Sequence, residues 1–255
     1  MKKAILIMAA VLLGTSTPVQ AQQDEIGITL DLSYHTKWLS KGIEGYKQQG
    51  GLFKTIDIDL YGTGLGIKVT HRNATASGFV DNQRFDYRPY YKNQMFSDAP
   101  YTTNYNISVG YEHYPGLSRN KANTTYEWIF AFSWPNLLPE GFTPSYIAHY
   151  EYPAGSGNAN RKVTGWVHRF KLDYSMNVTQ LPNPLILSTE MGYYDGLAAR
   201  NSDLCGYVTT GLSTKFNLTQ NLCFVPGLYH QTTPDDSISR RKDITYAILS
   251  MKYKF

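Results

Sequence analysis

The sequence predicts an all-β chain that folds as a transmembrane, antiparallel, up-and-down β-barrel of about twelve strands. Three observations lead to this prediction. Apolar and polar residues alternate along most of the chain, which is the period of a half-buried strand. Tight turns alternate with longer polar loops, and the chain ends on an amphipathic strand with a terminal aromatic residue, Phe255. Together these features are typical of barrels in the bacterial outer membrane.

The first 21 residues have the pattern of a secretory signal peptide, which we expect to be cleaved. Lys2 and Lys3 precede the apolar run AILIMAAVLL, and a small-x-Ala site ends at Ala21. The run is shorter than the roughly 20 apolar residues that a spanning helix needs, so a retained anchor helix is the less favoured alternative. We expect residues 22–255 to form a single exported barrel domain.

The composition excludes several classes of function. Without Lys2 and Lys3, 22 basic and 20 acidic residues leave a net charge of +2, which does not indicate binding to nucleic acid. The chain has 21 tyrosines and 14% aromatic residues, yet its mean hydropathy is negative. A soluble β-protein or a barrel with a polar interior would both look like this. The six histidines have no metal-ligand spacing, and no metal or other cofactor is expected.

Twelve segments show the strand period. In TYEWIFAFSW, for example, Trp128 and Phe130 fall on one face and Glu127 on the other. The fourth segment is the weakest, because Pro89 cannot donate to a strand ladder. It is retained because an even strand count places both chain ends on the side of the short turns. The predicted strands span residues 26–38, 51–61, 65–75, 83–92, 103–114, 124–134, 143–152, 163–178, 184–195, 203–218, 222–232 and 242–255.

Turn lengths separate the two ends of the predicted barrel. Tyr61–Gly64, Thr179–Pro184 and Thr219–Asn221 are tight turns, whereas segments such as Ser40–Gly50 and Pro115–Asn123 are longer and polar. Short turns at one end and longer loops at the other are the outer-membrane pattern. The loop from Ala74 to Arg84 is either a constriction folded inward or an exposed loop.

The two cysteines are predicted to be unpaired thiols. If the turn between the tenth and eleventh strands places Leu218 opposite Leu222, then Cys223 lies opposite Asn217. Cys205 is then about 40 Å away along the strand, at about 3.3 Å per residue. A disulfide needs Cα atoms within about 7 Å.

Several strand faces are too aromatic for contact with water. Strands of twelve residues exceed the usual five or six of globular sheets, and aromatic residues gather near strand ends, where membrane barrels carry girdles. A soluble sandwich that buries these faces in a core is the alternative. The residues assigned to the girdle are Trp128, Trp134, Trp166, Tyr193 and Tyr253.

The opposite faces of the strands carry charges, which in a barrel would face the lumen. Charged side chains arranged around a pore set its field and width, and their mixed signs predict weak ion selectivity. The candidates for lining the lumen and setting its selectivity are Asp57, Asp59, Lys68, Glu112, Glu127, Arg169, Lys171 and Glu190.

The segment SYHTKWLSKG, residues 33–42, resembles the first-strand signature of an uncharacterised family of bacterial outer-membrane β-barrel proteins, roughly Tyr-x-Ser-Lys-Tyr-x-x-Arg-Gly. DLYGTGLG, SWPN, GWVH and LYHQT resemble further parts of the same pattern. The resemblance implies a monomeric barrel of about twelve strands. In this chain a lysine replaces the arginine of the signature, which keeps the charge but loses the planar fork. The signature residues are Tyr34, Lys37, Trp38, Lys41 and Gly42.

Two further resemblances bear on partners and function. The end of the chain, at Phe255, resembles the signal by which outer-membrane proteins engage the barrel-assembly machinery. The nucleoside-specific channels of the outer membrane are similar in size and strand number. The basic segment Ser237–Asp243 fits contact with lipopolysaccharide phosphates better than with nucleic acid.

No catalytic residues are expected, because the sequence contains neither Gly-x-Ser-x-Gly nor His-Glu-x-x-His. Asp57 and Asp59, and His149 with Glu151, share strand faces, but a charge network in the lumen explains them better than catalysis. The sequence therefore predicts a porin-like passive channel for small polar solutes, embedded in outer-membrane lipid. The alternatives are a plugged structural barrel without transport and a secreted, soluble β-sandwich that binds carbohydrate.

Overall fold

Twelve antiparallel strands form one closed barrel in the computed structural model, which describes residues 26–46, 49–78, 82–115, 124–154, 164–196, 205–234 and 243–255. The strands, numbered β1 to β12, are Gly27–His35, Gly51–Asp59, Leu65–Ala74, Gln83–Met95, Thr103–His113, Thr125–Ser133, Phe142–Pro153, Gly165–Met176, Leu185–Asp195, Cys205–Thr214, Leu222–Thr232 and Asp243–Lys254. Each pairs with its neighbours in sequence, and β1 also pairs with β12, which closes the sheet.

The predicted fold class is therefore confirmed, and the alternative of two stacked sheets is wrong. Residues 60–64, 96–102, 134–141, 177–184 and 215–221 connect the strands at one end, which also holds both ends of the barrel and which we name the short-turn end. The remaining connections lie at the opposite, long-loop end. The predicted signal peptide, residues 1–21, lies outside the described residues. Within the part that is described, no helix is long and apolar enough to cross a membrane.

The fourth strand, the weakest prediction, is present and three residues longer than expected. Pro89 lies opposite Ile67 of β3. On its other side, the ladder with β5 pairs Tyr87 with Tyr111 and resumes at Tyr90 with Ser108, so it skips the proline. The strand tolerates Pro89 because the missing N–H donor falls where the ladder is interrupted.

The register around the cysteines follows the prediction. Cys223 lies opposite Asn217, in a two-residue extension of β10, and is unpaired. Cys205 lies opposite Tyr193 of β9, at the long-loop end of its strand. The two cysteines therefore belong to opposite ends of the barrel wall.

The outer face of the barrel is apolar and strongly exposed. Phe170 is 48% exposed and Met191 is 41% exposed, and their backbones lie opposite each other on β8 and β9. A monomeric soluble protein rarely exposes a continuous apolar surface of this kind. The outer face thus has the character that contact with lipid requires.

Aromatic rings contact one another in a continuous series across the outer face, toward the long-loop end. Neighbouring ring centroids are between 4.1 and 6.3 Å apart. The predicted girdle residues Trp166 and Tyr193 belong to this series, and Trp128 stacks on Phe130 nearby. Trp134 and Tyr253 lie near the short-turn end. The series runs through His71, Phe85, Tyr87, Tyr111, Tyr126, Tyr152, Tyr150, Trp166, His168 and Tyr193.

The outer face can be tested with a charged substitution on β9. We expect Met191→Lys to destabilise the barrel in lipid vesicles by about 2–4 kcal/mol, because a lysine near the middle of the membrane loses its hydration. Leu185→Lys, at the first residue of the same strand, is the control and should cost about 0–1 kcal/mol. Reversible unfolding of vesicle-inserted protein in guanidinium chloride measures both. Equal, small costs would show that this face does not meet hydrocarbon.

Candidate functional site: a hairpin inside the barrel

The connection between β1 and β2 folds into the barrel and forms a short hairpin there. Leu39–Ser40 pairs with Ile43–Glu44, and we name residues 39–44 the inserted hairpin. Its tip is Lys41 and Gly42, with φ of 52° and 80°. Two successive residues with positive φ are the mark of a type I′ turn, in which glycine is favoured and lysine is uncommon.

The tip contacts inward-facing side chains from several strands. Lys41 Nζ lies 2.5 Å from Glu127 Oε1 and forms a second ion pair with Glu151. The backbone oxygen of Lys41 accepts a hydrogen bond from the hydroxyl of Tyr194. Gln231 Nε2 donates to the backbone oxygen of Gly42 at 2.8 Å. Strands β6, β7, β9 and β11 therefore hold the tip from different sides of the lumen.

Gly42 also allows a close approach to the barrel wall. A Cβ atom at this position would overlap the ring of Tyr207 on β10. Ile43, the next residue, packs against the buried side chains of Val167, Tyr194 and Tyr207. The positive φ and this contact both require glycine at the tip.

Apolar contacts fix the base of the hairpin. Trp38 and Tyr46 flank it and have ring centroids 4.3 Å apart, and Phe53 of β2 completes a buried cluster with them. The guanidinium carbons of Arg84 and Arg72 lie 5.1 and 5.6 Å from the centre of the Trp38 ring, within the range of a cation–π contact. The base is thereby attached to the wall formed by β2, β3 and β4.

Charged side chains beside the hairpin form two groups joined by ion pairs and hydrogen bonds, and we name the two groups together the inner belt. Its first part joins β3, β4 and β5. Arg72 Nη2 lies 2.5 Å from Asp86 Oδ2, Arg84 Nε lies 2.6 Å from Asp86 Oδ1, and Arg84 Nη1 lies 2.8 Å from Glu112 Oε2. Arg84, Asp86 and Glu112 are all buried.

The second part of the inner belt joins β4, β6, β7, β8 and β9. Arg88 Nη2 lies 3.0 Å from Glu127 Oε2, and His149 Nδ1 lies 2.8 Å from Glu127 Oε1. Arg169 lies 3.3 Å from His149 Nε2 and 2.6 Å from Glu190 Oε2. Glu127, which is fully buried, thus contacts Lys41, Arg88 and His149 at once.

The surroundings of Lys41 determine the protonation state of its side chain at the hairpin tip. Burial disfavours the ammonium and would lower the pKa of Lys41, but the carboxylates of Glu127 and Glu151 outweigh burial and raise it. Lys41 is therefore protonated at neutral pH. Removing both carboxylates would leave a buried charge without a partner, which typically costs about 3–5 kcal/mol.

The short-turn half of the lumen has a different character. Lys68 Nζ lies 3.1 Å from Asp57 Oδ2, and Lys92 Nζ lies 2.6 Å from Asp59 Oδ2. The lysine side chains of these pairs are more than 40% exposed, so they face open space and not packed protein. The chain encloses a filled half and an open half within one barrel.

The eight predicted lumen residues divide between these two halves. Asp57, Asp59, Lys68 and Lys171 lie in partly exposed ion pairs. Glu112, Glu127, Arg169 and Glu190 belong to the inner belt.

The longer polar segment Ser40–Gly50 lies at the predicted long-loop end, but its first part folds into the barrel, where Lys41 finds partners. The first strand was predicted to reach residue 38 but ends at His35, so of the signature residues only Tyr34 lies in β1, on its outer face. The loop from Ala74 to Arg84 was the predicted candidate for a constriction, and its residues 79–81 lie outside the described residues.

Sequence reasoning missed most partners of the hairpin. The Lys-Gly pair at 41–42 is the one local signal for its turn, and it was noted only as part of a signature. His149 and Glu151, for which a lumen charge network was the favoured explanation, do lie in ion pairs there, whereas the residues that sequence reasoning did not assign are Arg84, Asp86, Arg88, Tyr194, Tyr207 and Gln231.

Comparison with solved structures places this barrel among outer-membrane proteins in fold. The KdgM porin aligns with a TM-score of 0.53 at 12% identity, over 89% of this chain and 99% of its own. The NanC porin gives 0.54 at 9% identity, over 89% and 100%. The outer membrane phospholipase A from Escherichia coli gives 0.51 at 14% identity, over 88% and 92%.

These likenesses show a porin-like fold, which an enzyme shares. No protein-family model matches the sequence. A search of curated proteins also gave no match.

The ion pairs of the hairpin tip can be tested by limited proteolysis. In the wild-type barrel we expect trypsin to spare the Lys41–Gly42 bond, because the tip is buried. The double variant Glu127→Gln, Glu151→Gln should be cleaved there at least about tenfold faster, since loss of both carboxylates releases the lysine. Mass spectrometry identifies the fragment that ends at Lys41.

Asp31→Asn is the matched control for this experiment. Asp31 pairs with Lys252 at 3.6 Å, inside the barrel but away from the hairpin. Its variant should resist trypsin like the wild type. Equal cleavage of all three proteins at Lys41 would contradict the burial of the tip.

Proposed function

We propose that the protein is an integral barrel of the bacterial outer membrane that acts as a porin-like passive channel for small polar solutes. The observation that carries this proposal is a closed barrel with an apolar outer face and a charged inner face, half of which is open. In such barrels the short turns face the periplasm and the longer loops face the outside. The inserted hairpin then narrows the extracellular half.

The field in the channel comes from the open half of the lumen. Asp57, Asp59, Lys68 and Lys171 are exposed enough to meet solutes, and each stands in a pair of opposite charges. Paired charges leave little net potential along the path, so the channel has weak ion selectivity. Glu112, Glu127, Arg169 and Glu190 act by holding the inner belt together.

The plugged structural barrel is the second candidate, and the inserted hairpin favours it. Side chains can fill the lumen of a barrel of about eight strands, whereas a barrel of about sixteen strands leaves an open channel. A barrel of twelve strands lies between these two cases. Here one loop and its ion pairs occupy the extracellular half. The two candidates differ in one measurable property, which is ion conductance.

Planar-bilayer recording of the refolded full chain decides between them. We expect the wild type to conduct, and the Glu127→Gln, Glu151→Gln variant to conduct at least about twofold more, because the freed tip no longer narrows the bore. Asp31→Asn should stay near the wild type, and heat-modifiable gel migration verifies folding of all three. Silent bilayers for the wild type and the double variant would remove the channel and leave the structural barrel.

The segment SYHTKWLSKG supports membership of the uncharacterised barrel family that it resembles. Within that signature, Trp38 anchors the base of the hairpin, and Lys41 and Gly42 form its tip. We therefore propose that the signature encodes the inserted hairpin, with Lys41 in place of the usual arginine. An insertion of this kind needs no second chain, which supports a monomer.

Contacts of the last residue support recognition by the barrel-assembly machinery. The backbone N–H of Phe255 donates to the oxygen of Ile28 at 3.0 Å, so the terminus stays registered with β1. Outer-membrane lipid is the partner of the apolar face. Lipopolysaccharide would meet the segment 237–243, most of which lies outside the described residues.

We propose that the barrel is not an enzyme, although a phospholipase shares its fold. The outer face does carry a hydroxyl next to a histidine, since Thr245 Oγ1 lies 2.9 Å from His230 Nδ1. The carboxylate of Asp243 lies 3.7 Å from the other ring nitrogen, which is too far for a hydrogen bond that would orient the ring. A nucleophile needs an oriented base, and this arrangement does not supply one.

A hydrolysis assay tests this proposal. Phospholipid in mixed micelles, with and without calcium, is incubated with the wild type and with His230→Ala. We expect that neither protein hydrolyses phospholipid faster than the detergent blank. Hydrolysis by the wild type that His230→Ala abolishes would show that the chain is an enzyme.

A further inference from the structure

A cavity of about 510 Å³ occupies the open half of the lumen, against β4, β5, β6 and β7. Its volume lies within the range of roughly 300–1,000 Å³ that is usual for small-molecule sites. The side chains of the inner face that line it are Lys92, Gln94, Asn104, Asn106, Ala131, Ser133, Ser145 and Ile147.

Amides dominate one side of this cavity. Gln94 Nε2 donates to Asn104 Oδ1 at 3.0 Å, which orients both side chains. Asn106 lies two residues along the same face of β5 and opposite Lys92 of β4. Each amide carries both donors and acceptors, so three of them can bind several hydroxyl groups at once.

The cavity wall is close to electrically neutral. Lys92 is the charged residue among those that line it, and its ammonium lies 2.6 Å from the carboxylate of Asp59. A charged solute would lose hydration there without gaining a free counter-charge. An uncharged solute avoids that cost.

The adjoining part of the wall, on β6 and β7, combines hydroxyl groups with small apolar patches. Ser133 of β6 lies opposite Ser145 of β7, and Ala131 lies opposite Ile147 one step further along the same two strands. Sugars present this combination in reverse, with hydroxyls at the rim of the ring and C–H groups on its faces. The two adjoining parts of the wall together offer partners to both parts of such a molecule.

We infer that this cavity binds an uncharged, polyhydroxylated solute, of the size of a mono- or disaccharide, as it crosses the barrel. The inference rests on the proposed channel function and names the substrate class of that channel. Asn104 and Asn106 set the specificity by hydrogen bonding, and Gln94 positions Asn104 through the hydrogen bond between their side chains.

Isothermal titration calorimetry of the refolded full chain in detergent tests the site independently of transport. Maltose is the neutral probe, and glucose and glucuronate are a pair that differs by one charge. We expect maltose to bind the wild type, and glucose to bind at least about fivefold more tightly than glucuronate. Asn104→Leu with Asn106→Leu keeps the side-chain volume but removes the amides, and should weaken maltose binding at least about tenfold.

Thr55→Val is the matched control, because Thr55 bonds to Thr70 on the inner face outside the cavity. It should bind maltose like the wild type, and heat-modifiable migration verifies that each variant is folded. Absence of maltose binding, equal affinity for glucuronate, or unchanged binding by the double leucine variant would each overturn the inference. Maltose binding in a barrel that does not conduct supports the binding site and refutes the channel. Conductance without maltose binding supports the channel and refutes the binding site.

Discussion

Hydrogen bonding between the first and last strands is the constraint on which the rest of the structure depends. A backbone polar group in hydrocarbon has no water to bond, so a sheet can span a membrane only when it is closed. β12 meets β1 over seven residue pairs, from Thr29 with Lys254 to His35 with Ile248. Closure gives the sheet an inside and an outside, and every second residue then belongs to one or the other. The same alternation therefore lets one strand carry both Glu127 and Trp128.

Closure at twelve strands leaves more room than side chains from the wall can fill, and the chain fills only half of it. At the long-loop end the inserted hairpin brings Lys41 to the acidic side chains of β6 and β7. At the short-turn end, ion pairs such as Asp57 with Lys68 stay against the wall and remain partly exposed. One end therefore resembles a packed protein interior, and the other end is open.

The sequence was sufficient for what depends on local pattern. Alternation defined the strands, and turn length defined the two ends and the register that places Cys223 opposite Asn217. The direction of the hairpin depends on partners far away in the chain: Glu151 is 110 residues from Lys41, and Gln231 is 189 residues from Gly42. Local spacing predicts a turn but not what the turn meets. The charges of β4 were missed for another reason, because Pro89 weakened the pattern of that strand.

The two parts of the hairpin contribute differently to the structure. The base buries the apolar area of Trp38, Tyr46 and Phe53, which stabilises the structure without requiring an exact arrangement of the side chains. At the tip, the attraction between Lys41 and its carboxylates roughly offsets the free-energy cost of desolvating these charges, so their net contribution to stability is small. Yet an ion pair is stable in few arrangements, and without Glu127 and Glu151 the buried ammonium group of Lys41 would have no favourable position. The base therefore keeps the hairpin in the barrel, and the tip determines where in the lumen it lies.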